Sequence, residues 1–342
     1  IKMKQVWIPR KGAPDVLEIR NTADPVPQEG QIRIDVHFAG INFADILARM
    51  GLYPDSPKVP CVVGYEVSGV VDAVGKGMSS DMIGREVAAL TQFGGYSSKV
   101  CVDVDQLMTL PGGISLESAA AMPVNYLTAY IMMVEQARFR SGDTILIHGI
   151  GGGVGIAALQ LSKIIGANSI IGTASAWKHE DLLKMGADHL IDYNSEDFVH
   201  RVMELTDKRG VDLVLDPVAG KYVKRSYSCL RPLGSVVFYG MSSAAPGKRR
   251  NLFFGLKALL STGKFHPIRL MNANKGVHGC NLGHLWSERE RLKKTMEQLT
   301  IWLAKGKISP VVDRVFSFEN APEAHEYIQD HRNLGKVLLS PQ

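Results

Sequence analysis

The chain has 342 residues, 45% of them hydrophobic and 21% charged, with a formal net charge of +5 and a pI near 8.9. That composition belongs to a globular protein with room for about two domains, and no low-complexity segment or internal repeat stands out. The mild basicity is spread along the chain, densest at 248–250 and 289–294, and lacks the basic face with interleaved aromatics that nucleic-acid binding needs, so no nucleic-acid partner is expected.

Between residues 4 and 104, short strand patterns are separated by Pro and Gly. Residues 31–36 alternate in polarity, 62–74 carry Gly64 and Gly69, and 85–90 lead into Gly94 and Gly95. This spacing predicts a compact β-barrel interrupted by one helix near 43–50. From 111 to 134 the chain becomes Ala- and Met-rich, with Ser115 placed as a cap ahead of Glu117 and Ser118, so helices begin there. The domain boundary is set near Pro123.

After it, strand and helix patterns alternate. Strands are expected near Thr144, Ser169, His189, Asp212 and Ser235, with helices near Val154, Lys178, Glu196 and Tyr222, the signature of a doubly wound parallel sheet. Residues 251–274 read as less regular, 276–282 as strand-like, and 289–304 as a long amphipathic helix. The tail over 308–339 returns to strand, short helix and strand, and is expected to rejoin the barrel. A chain split in this way is expected to bind its ligand in a cleft between barrel and sheet.

The stretch 144–165 organises the second half. An aliphatic strand is followed by Gly149-Ile-Gly-Gly-Gly-Val-Gly155 and then by apolar residues at helical spacing. Glycine lets the backbone approach a pyrophosphate, and the amides and positive dipole end of the next helix stabilise its charge. Gly152 and Gly155 fit the second and third positions of the dinucleotide motif, but Ile150 occupies the first. A tight turn without a ligand is the alternative. An NAD site usually has an acid near the end of the second strand, binding the ribose 2′-hydroxyl. The corresponding stretch, 172–178, holds no acid and offers Ser175 and Lys178, which suit a 2′-phosphate and favour NADPH over NADH. Glu180 and Asp181 weigh against that reading, and the alternative is a capping Ser175 with a solvent-facing Lys178.

Cys61, Cys101, Cys229 and Cys280 are scattered with no C-x-x-C pair, which fits a reducing compartment and argues against a structural zinc lobe. The expected location is cytoplasmic. The longest apolar stretch, 119–134, is interrupted by Pro123, Asn125 and Thr128, so no transmembrane segment is expected, although peripheral membrane association stays open.

Gly40-Ile-Asn-Phe-Ala-Asp45, Gly51-Leu-Tyr-Pro54, Gly64-Tyr-Glu66, Gly152-Gly-Val-Gly155, Gly172-Thr-Ala-Ser175 with Lys178-His-Glu180, Tyr239-Gly240, Lys248-Arg-Arg-Asn251 and Asn333-Leu-Gly-Lys-Val337 occur in an order and spacing that are specific together. Through them nearly the whole chain resembles the zinc-independent quinone oxidoreductases of the medium-chain dehydrogenase/reductase superfamily, and within them the VAT-1 (vesicle amine transport protein 1) group.

The resemblance implies an α/β protein: a GroES-like β-barrel catalytic domain (residues 1–123 and 307–342) and a doubly wound Rossmann domain (residues 124–306) that binds NADPH. It places Asn42, Tyr65 and about Val124 where zinc alcohol dehydrogenases carry their Cys, His and Cys ligands, so no metal is expected. It places Asn42 and Tyr53 in the substrate and nicotinamide pocket, Thr128 on a helix near the cofactor, and Gly152, Gly153 and Val154 at the pyrophosphate. It sets Ser175, Lys178 and Tyr193 at the 2′-phosphate, and Gly240, Met241 and Asn333 near the nicotinamide half. A packing role for Tyr53 and an exposed loop role for Tyr193 are the alternatives. The implied activity is NADPH-dependent reduction of quinones or related activated carbonyls, with 2-enoyl reduction, or NADPH-binding regulation in vesicle traffic, as the other readings. A homodimer paired through 276–282 is also implied.

Overall fold

The protein is described from a computed structural model over residues 2–245, 247–248 and 252–342. It divides into two compact units, Ile1–Leu127 with Gly247–Arg250 and Gly283–Gln342, and Thr128–Pro246 with Asn251–Leu282.

The first unit is built on a seven-stranded sheet. Its order is Val312–Ser317, Lys336–Ser340, Gln31–Gly40, Glu66–Val74, Glu86–Leu90 and Leu107–Thr109, with Lys99–Asp103 also pairing with Gln31–Gly40. The polarity alternation at 31–36 places Ile32, Ile34 and Val36 in the core, where they pack in one cluster with Val67, Val71, Val87, Phe316 and Leu339. Each such aliphatic side chain contributes about 1.5–3 kcal/mol when removed from water. The tail rejoins this sheet as expected, and Leu338 and Leu339 pair antiparallel with Gly40 and Ala39.

The helix Phe43–Met50 falls where the sequence predicts it. The Asp45 carboxylate accepts from the Asn42 amide nitrogen at 2.8 Å, reaching back from the third helical position, and Gly51 closes the helix at φ +69°. The helix Arg289–Ala304 was expected in the sheet domain. It lies in the first unit instead, against Leu107–Thr109 and the turn Val104–Gln106, because its buried stripe (Leu292, Met296, Leu299, Leu303) faces that way.

The second unit is a six-stranded parallel sheet in the order His189–Ile191, Ser169–Thr173, Thr144–His148, Val211–Asp216, Leu230–Phe238, Gly276–Gly279. The near-continuous burial of its central strands explains why they read as aliphatic runs without alternation. The segment read as irregular holds two helices, Leu252–Thr262 and Pro267–Ala273. Pro267 begins the second, with His266 Nδ1 accepting from the Ile268 amide. Of the Lys248-to-Asn251 motif, Arg249, Arg250 and Asn251 lie outside the described residues.

Candidate functional site

In the second unit, chain order reverses direction between the adjacent strands Thr144–His148 and Val211–Asp216, so their carboxyl ends open a crevice where ligands of such sheets bind. Gly149 adopts φ +63° and the helix Gly153–Ile165 starts from Gly152, with no side chain capping the amides of its first turn. A Cβ on Gly155 would meet the Gly149 carbonyl oxygen and come within 2.6 Å of Ile150 Cα, so this glycine lets the helix lie against the backbone of the turn. Ile150, the departure from the motif, is fully buried. Its side chain fills the space left by Gly172, whose Cβ would come within 2.6 Å of it.

Beneath the turn, a buried network ties three strand ends together. The Ser226 hydroxyl donates to Asp216 Oδ2 at 2.7 Å and lies 3.2 Å from His148 Nε2, while His148 Nδ1 lies 3.2 Å from Thr173 Oγ1. Thr173 Oγ1 also accepts from the Gly149 amide, and Asp216 Oδ1 accepts from the amides of Val218 and Ala219. One proton arrangement satisfies every member, with His148 neutral and its proton on Nε2, donating to Ser226. Burial holds His148 below the ordinary histidine range, in keeping with that state.

At the end of the second strand, Ser175 Oγ and the Tyr193 hydroxyl are 2.9 Å apart. Ser175 makes no side-chain cap to the following turn, and Lys178 is buried, with its ammonium 5.0 Å from the Trp177 ring centroid. The capping and solvent-facing alternatives therefore do not describe these two residues. Gly240 follows Leu230–Phe238, and a Cβ there would come within 2.7 Å of the Pro217 carbonyl oxygen; Met241 is the next residue. Thr128 lies buried on the helix Pro123–Tyr130.

In the first unit the chemistry gathers around Asn42. Lys336 donates to Asn42 Oδ1 at 2.8 Å and to Asn125 Oδ1 at 3.4 Å, and forms an ion pair with Glu66. Asn42 Nδ2 donates to Glu66 Oε1 at 3.0 Å, and Glu66 Oε2 accepts from the Val124 amide at 2.7 Å. Glu66 and Lys336 are buried, which the pairing makes tolerable. Ammonium on one side and carboxylate on the other fix which way the Asn42 amide points, and leave one of its two N–H groups uncommitted among the described residues.

Asp45 holds the backbone nearby by accepting from the amides of Asn42 and Gly64. Its burial raises the carboxyl pKa to about 7. Tyr53 belongs to an aromatic row: its ring is edge-on to Tyr65 at 6.5 Å, and Tyr65 lies 5.4 Å from Phe93. Burial, with Asp45 and Tyr53 close by, pushes the Tyr65 hydroxyl above the usual tyrosine range. Asn333 donates to the Gly335 carbonyl oxygen at 2.8 Å in the turn ahead of Lys336–Ser340.

Sequence reasoning missed the roles of Glu66, Lys336, Asn125 and Asp45, although Glu66 and Lys336 each stand at the head of a strand whose next residues are apolar or small and buried, where an ionised side chain must be paired. A zinc site does not fit these residues. Asn42, Tyr65 and Val124 offer neither thiolate nor imidazole, and the Lys336 ammonium already neutralises the acid beside Asn42. Among the described residues no group of three or more His, Cys, Asp or Glu side chains is placed to hold a metal ion.

Residues 28–127 match the alcohol dehydrogenase GroES-like domain family, and residues 185–339 match the zinc-binding dehydrogenase family. Together with the reversed-order parallel sheet they define an oxidoreductase of the medium-chain dehydrogenase/reductase superfamily. The synaptic vesicle membrane protein VAT-1 homolog of Rattus norvegicus is 38% identical over 325 residues, 95% of this chain and 80% of the relative. The chain belongs to the VAT-1 group of that superfamily. Its fold is similar to the crystal structure of Escherichia coli quinone oxidoreductase complexed with NADPH (31% identity, TM-score 0.86, covering 99% of this chain and 100% of that one). It is also similar to that of the CurK enoyl reductase (27% identity, TM-score 0.86, 99% of both chains).

Proposed function

We propose that the protein is an NADPH-dependent reductase that transfers hydride to quinones or related activated carbonyl acceptors without zinc. The observation that carries this reading is the Asn42 amide, held by Lys336 and Glu66 with one N–H uncommitted, at the position where a metal ligand stands in the zinc enzymes. A quinone is electrophilic enough to accept hydride without a Lewis acid, provided that donors meet the developing negative charge. The free Asn42 N–H and the Tyr53 hydroxyl are assigned that task. A tyrosine titrates near 10, so it donates a hydrogen bond at neutral pH without losing its proton.

NADPH, when bound, supplies the hydride. The first-turn amides at Gly152, Gly153 and Val154 hold its pyrophosphate, and Ser175, Tyr193 and Lys178 hold its 2′-phosphate. The hydroxyl pair and the ammonium fit a dianion and would leave a bare ribose under-engaged. Thr128, Gly240, Met241 and Asn333 are assigned to the nicotinamide half. NADPH binding to the E. coli quinone oxidoreductase named above supports the cofactor.

Titration of the purified protein with NADPH and with NADH, followed by an ortho-quinone and a para-quinone, tests this reading. Tight NADPH binding with rapid oxidation on adding quinone is expected. Binding without oxidation overturns the reductase, and a preference for NADH overturns the assignment of Ser175 and Lys178. Likeness to CurK favours a second reading, reduction of an activated alkene, which a saturated C–C bond in the product would reveal.

The relatives' name and one feature of this chain favour association with a vesicle surface alongside catalysis. Residues 217–287 contain eleven Lys or Arg and no Asp or Glu, and Phe253, Leu256, Leu260, Ile268 and Met271 are exposed within that run. No helix among the described residues is long and apolar enough to cross a membrane, and the association we propose is a peripheral one. Sedimentation with anionic but not neutral liposomes is the expected result. We also place a homodimer at the strand Gly276–Gly279, which ends the sheet order and pairs on one side only among the described residues; light scattering tests it.

A further inference from the structure

The turn Ala176–Lys178, at the end of the second strand of the parallel sheet, carries a large aromatic side chain out toward solvent. Trp177 is 57% exposed, so its burial contributes little to the fold, whereas its neighbour Lys178 is only 6% exposed. The Lys178 ammonium lies over the Trp177 ring, 5.0 Å from its centroid. We infer that Trp177 is a positioning residue for the 2′-phosphate of NADPH: its ring holds the Lys178 ammonium in place before the phosphate arrives, and so strengthens the preference for a 2′-phosphate over a 2′-hydroxyl. The inference rests on the assignment of Lys178 to that phosphate.

The backbone fixes where these side chains stand. The Lys178 amide donates to the Ser175 carbonyl oxygen at 3.0 Å and closes a 3₁₀ turn, in which residues three apart lie one above the other. Ser175 and Lys178 therefore share a side. His179 Nε2 donates to the Ala174 carbonyl oxygen at 3.0 Å and ties the far end of the turn back to the strand, so Trp177 sits on a fixed support between two anchored ends.

Two physical effects turn that contact into selectivity. A lysine stem is flexible, and a ligand that must immobilise it forfeits part of its binding free energy, so an ammonium already held costs the ligand less. An indole face attracts an ammonium within about 6 Å of its centroid, and Trp does so more strongly than Tyr or Phe. An ammonium has three N–H donors, so contact with a ring on one side still leaves donors for phosphate oxygens. A bare ribose hydroxyl gains little from a fixed cation. The benefit of the ring therefore falls on the phosphorylated ligand alone.

The test titrates the full-length protein calorimetrically with adenosine 2′,5′-bisphosphate and with adenosine 5′-monophosphate, which differ only in the 2′-phosphate and need neither hydride transfer nor an acceptor. Trp177→Leu is expected to weaken the bisphosphate about three- to tenfold, the range for losing a cation–π contact, while the monophosphate hardly moves and so reports an intact fold. Trp177→Phe, which keeps a ring face, is expected to fall between wild type and Trp177→Leu. In a Lys178→Met background, Trp177→Leu is expected to have no further effect, because the ring then has no cation to hold. An unchanged bisphosphate affinity in Trp177→Leu, equal losses for both ligands, or a full additional loss in the Lys178→Met background overturns the positioning role. Equal affinity of the wild type for the two ligands overturns the 2′-phosphate assignment itself, and the inference with it.

Discussion

The Lys336 ammonium lies 2.8 Å from the Asn42 amide oxygen, across 294 positions of sequence, and completes a buried set of charges with Glu66. The approach follows from the pairing of Leu338 and Leu339 with Gly40 and Ala39, which brings the heads of two distant segments side by side.

Replacing Lys336 by Met strands Glu66 as an unpaired buried charge. Lys336→Met is expected to lower unfolding free energy by about 3–5 kcal/mol. Adding Glu66→Gln should recover part of that loss without restoring turnover, because nothing then fixes the direction of the Asn42 amide. Urea denaturation and quinone-dependent NADPH oxidation measure the two effects, and full activity in the double variant would refute the positioning role.

Asn42→Ala and Tyr53→Phe are each expected to lower turnover by roughly ten- to a thousandfold, the range for losing one donor to a developing negative charge. NADPH affinity should stay near wild type in both. Unchanged turnover in the pair would remove these residues from the chemistry.

Cofactor choice should reside in three side chains. Lys178→Ala and Ser175→Ala are each expected to weaken NADPH by about tenfold or more, with Tyr193→Phe milder, while NADH affinity hardly moves. Fluorescence titration with the two cofactors decides it, since equal losses for both would point to damage of the fold.

Two glycines of the turn should differ sharply on substitution. A Cβ on Gly155 would press on backbone that cannot give way, whereas one on Gly152 would sit 3.3 Å from the Gly149 oxygen. Gly155→Ala is therefore expected to cost about 1–3 kcal/mol and to weaken NADPH binding, with Gly152→Ala closer to wild type in stability. Thermal melts with and without NADPH separate the two.

Asp45 gives a pH signature of defined sign. Its folded pKa, raised from 3.8 to about 7 by burial, means that the folded chain holds a proton which the unfolded chain has released. The stability it contributes is fully present below about pH 4, falls as pH rises toward 7, and is lost above that. The stability difference between wild type and Asp45→Asn should therefore shrink with rising pH over that window, by up to about 1.4 kcal/mol per unit, and level off above pH 8. A difference that stays flat from pH 4 to 8 would contradict it.

Much of this architecture was legible because local chemistry carried it. Strands buried on both faces read as aliphatic runs, and 43–50 carried its own cap and its terminating glycine. Ser175 and Lys178 drew notice because the second strand ends without an acid, and Tyr193 through resemblance alone; the Ser175 and Tyr193 hydroxyls lie 2.9 Å apart. What stayed hidden depended on contacts between distant segments. Nothing near residue 42 announces residue 336, and Ile150 looks like a flaw in the motif until Gly172 is seen making room for it. The helices at 252–262 and 267–273 were missed because Gly and Phe interrupt the first and the second spans only seven residues.

Lys336 also couples the Asn42 amide to the seating of a distant strand. The amine that orients Asn42 and neutralises Glu66 stands at the head of the strand Lys336–Ser340, which is held to the sheet through Leu338 and Leu339. Loosening of that strand would release the amide and leave the acid unpaired in a single event, so the strand works as a latch on residue 42.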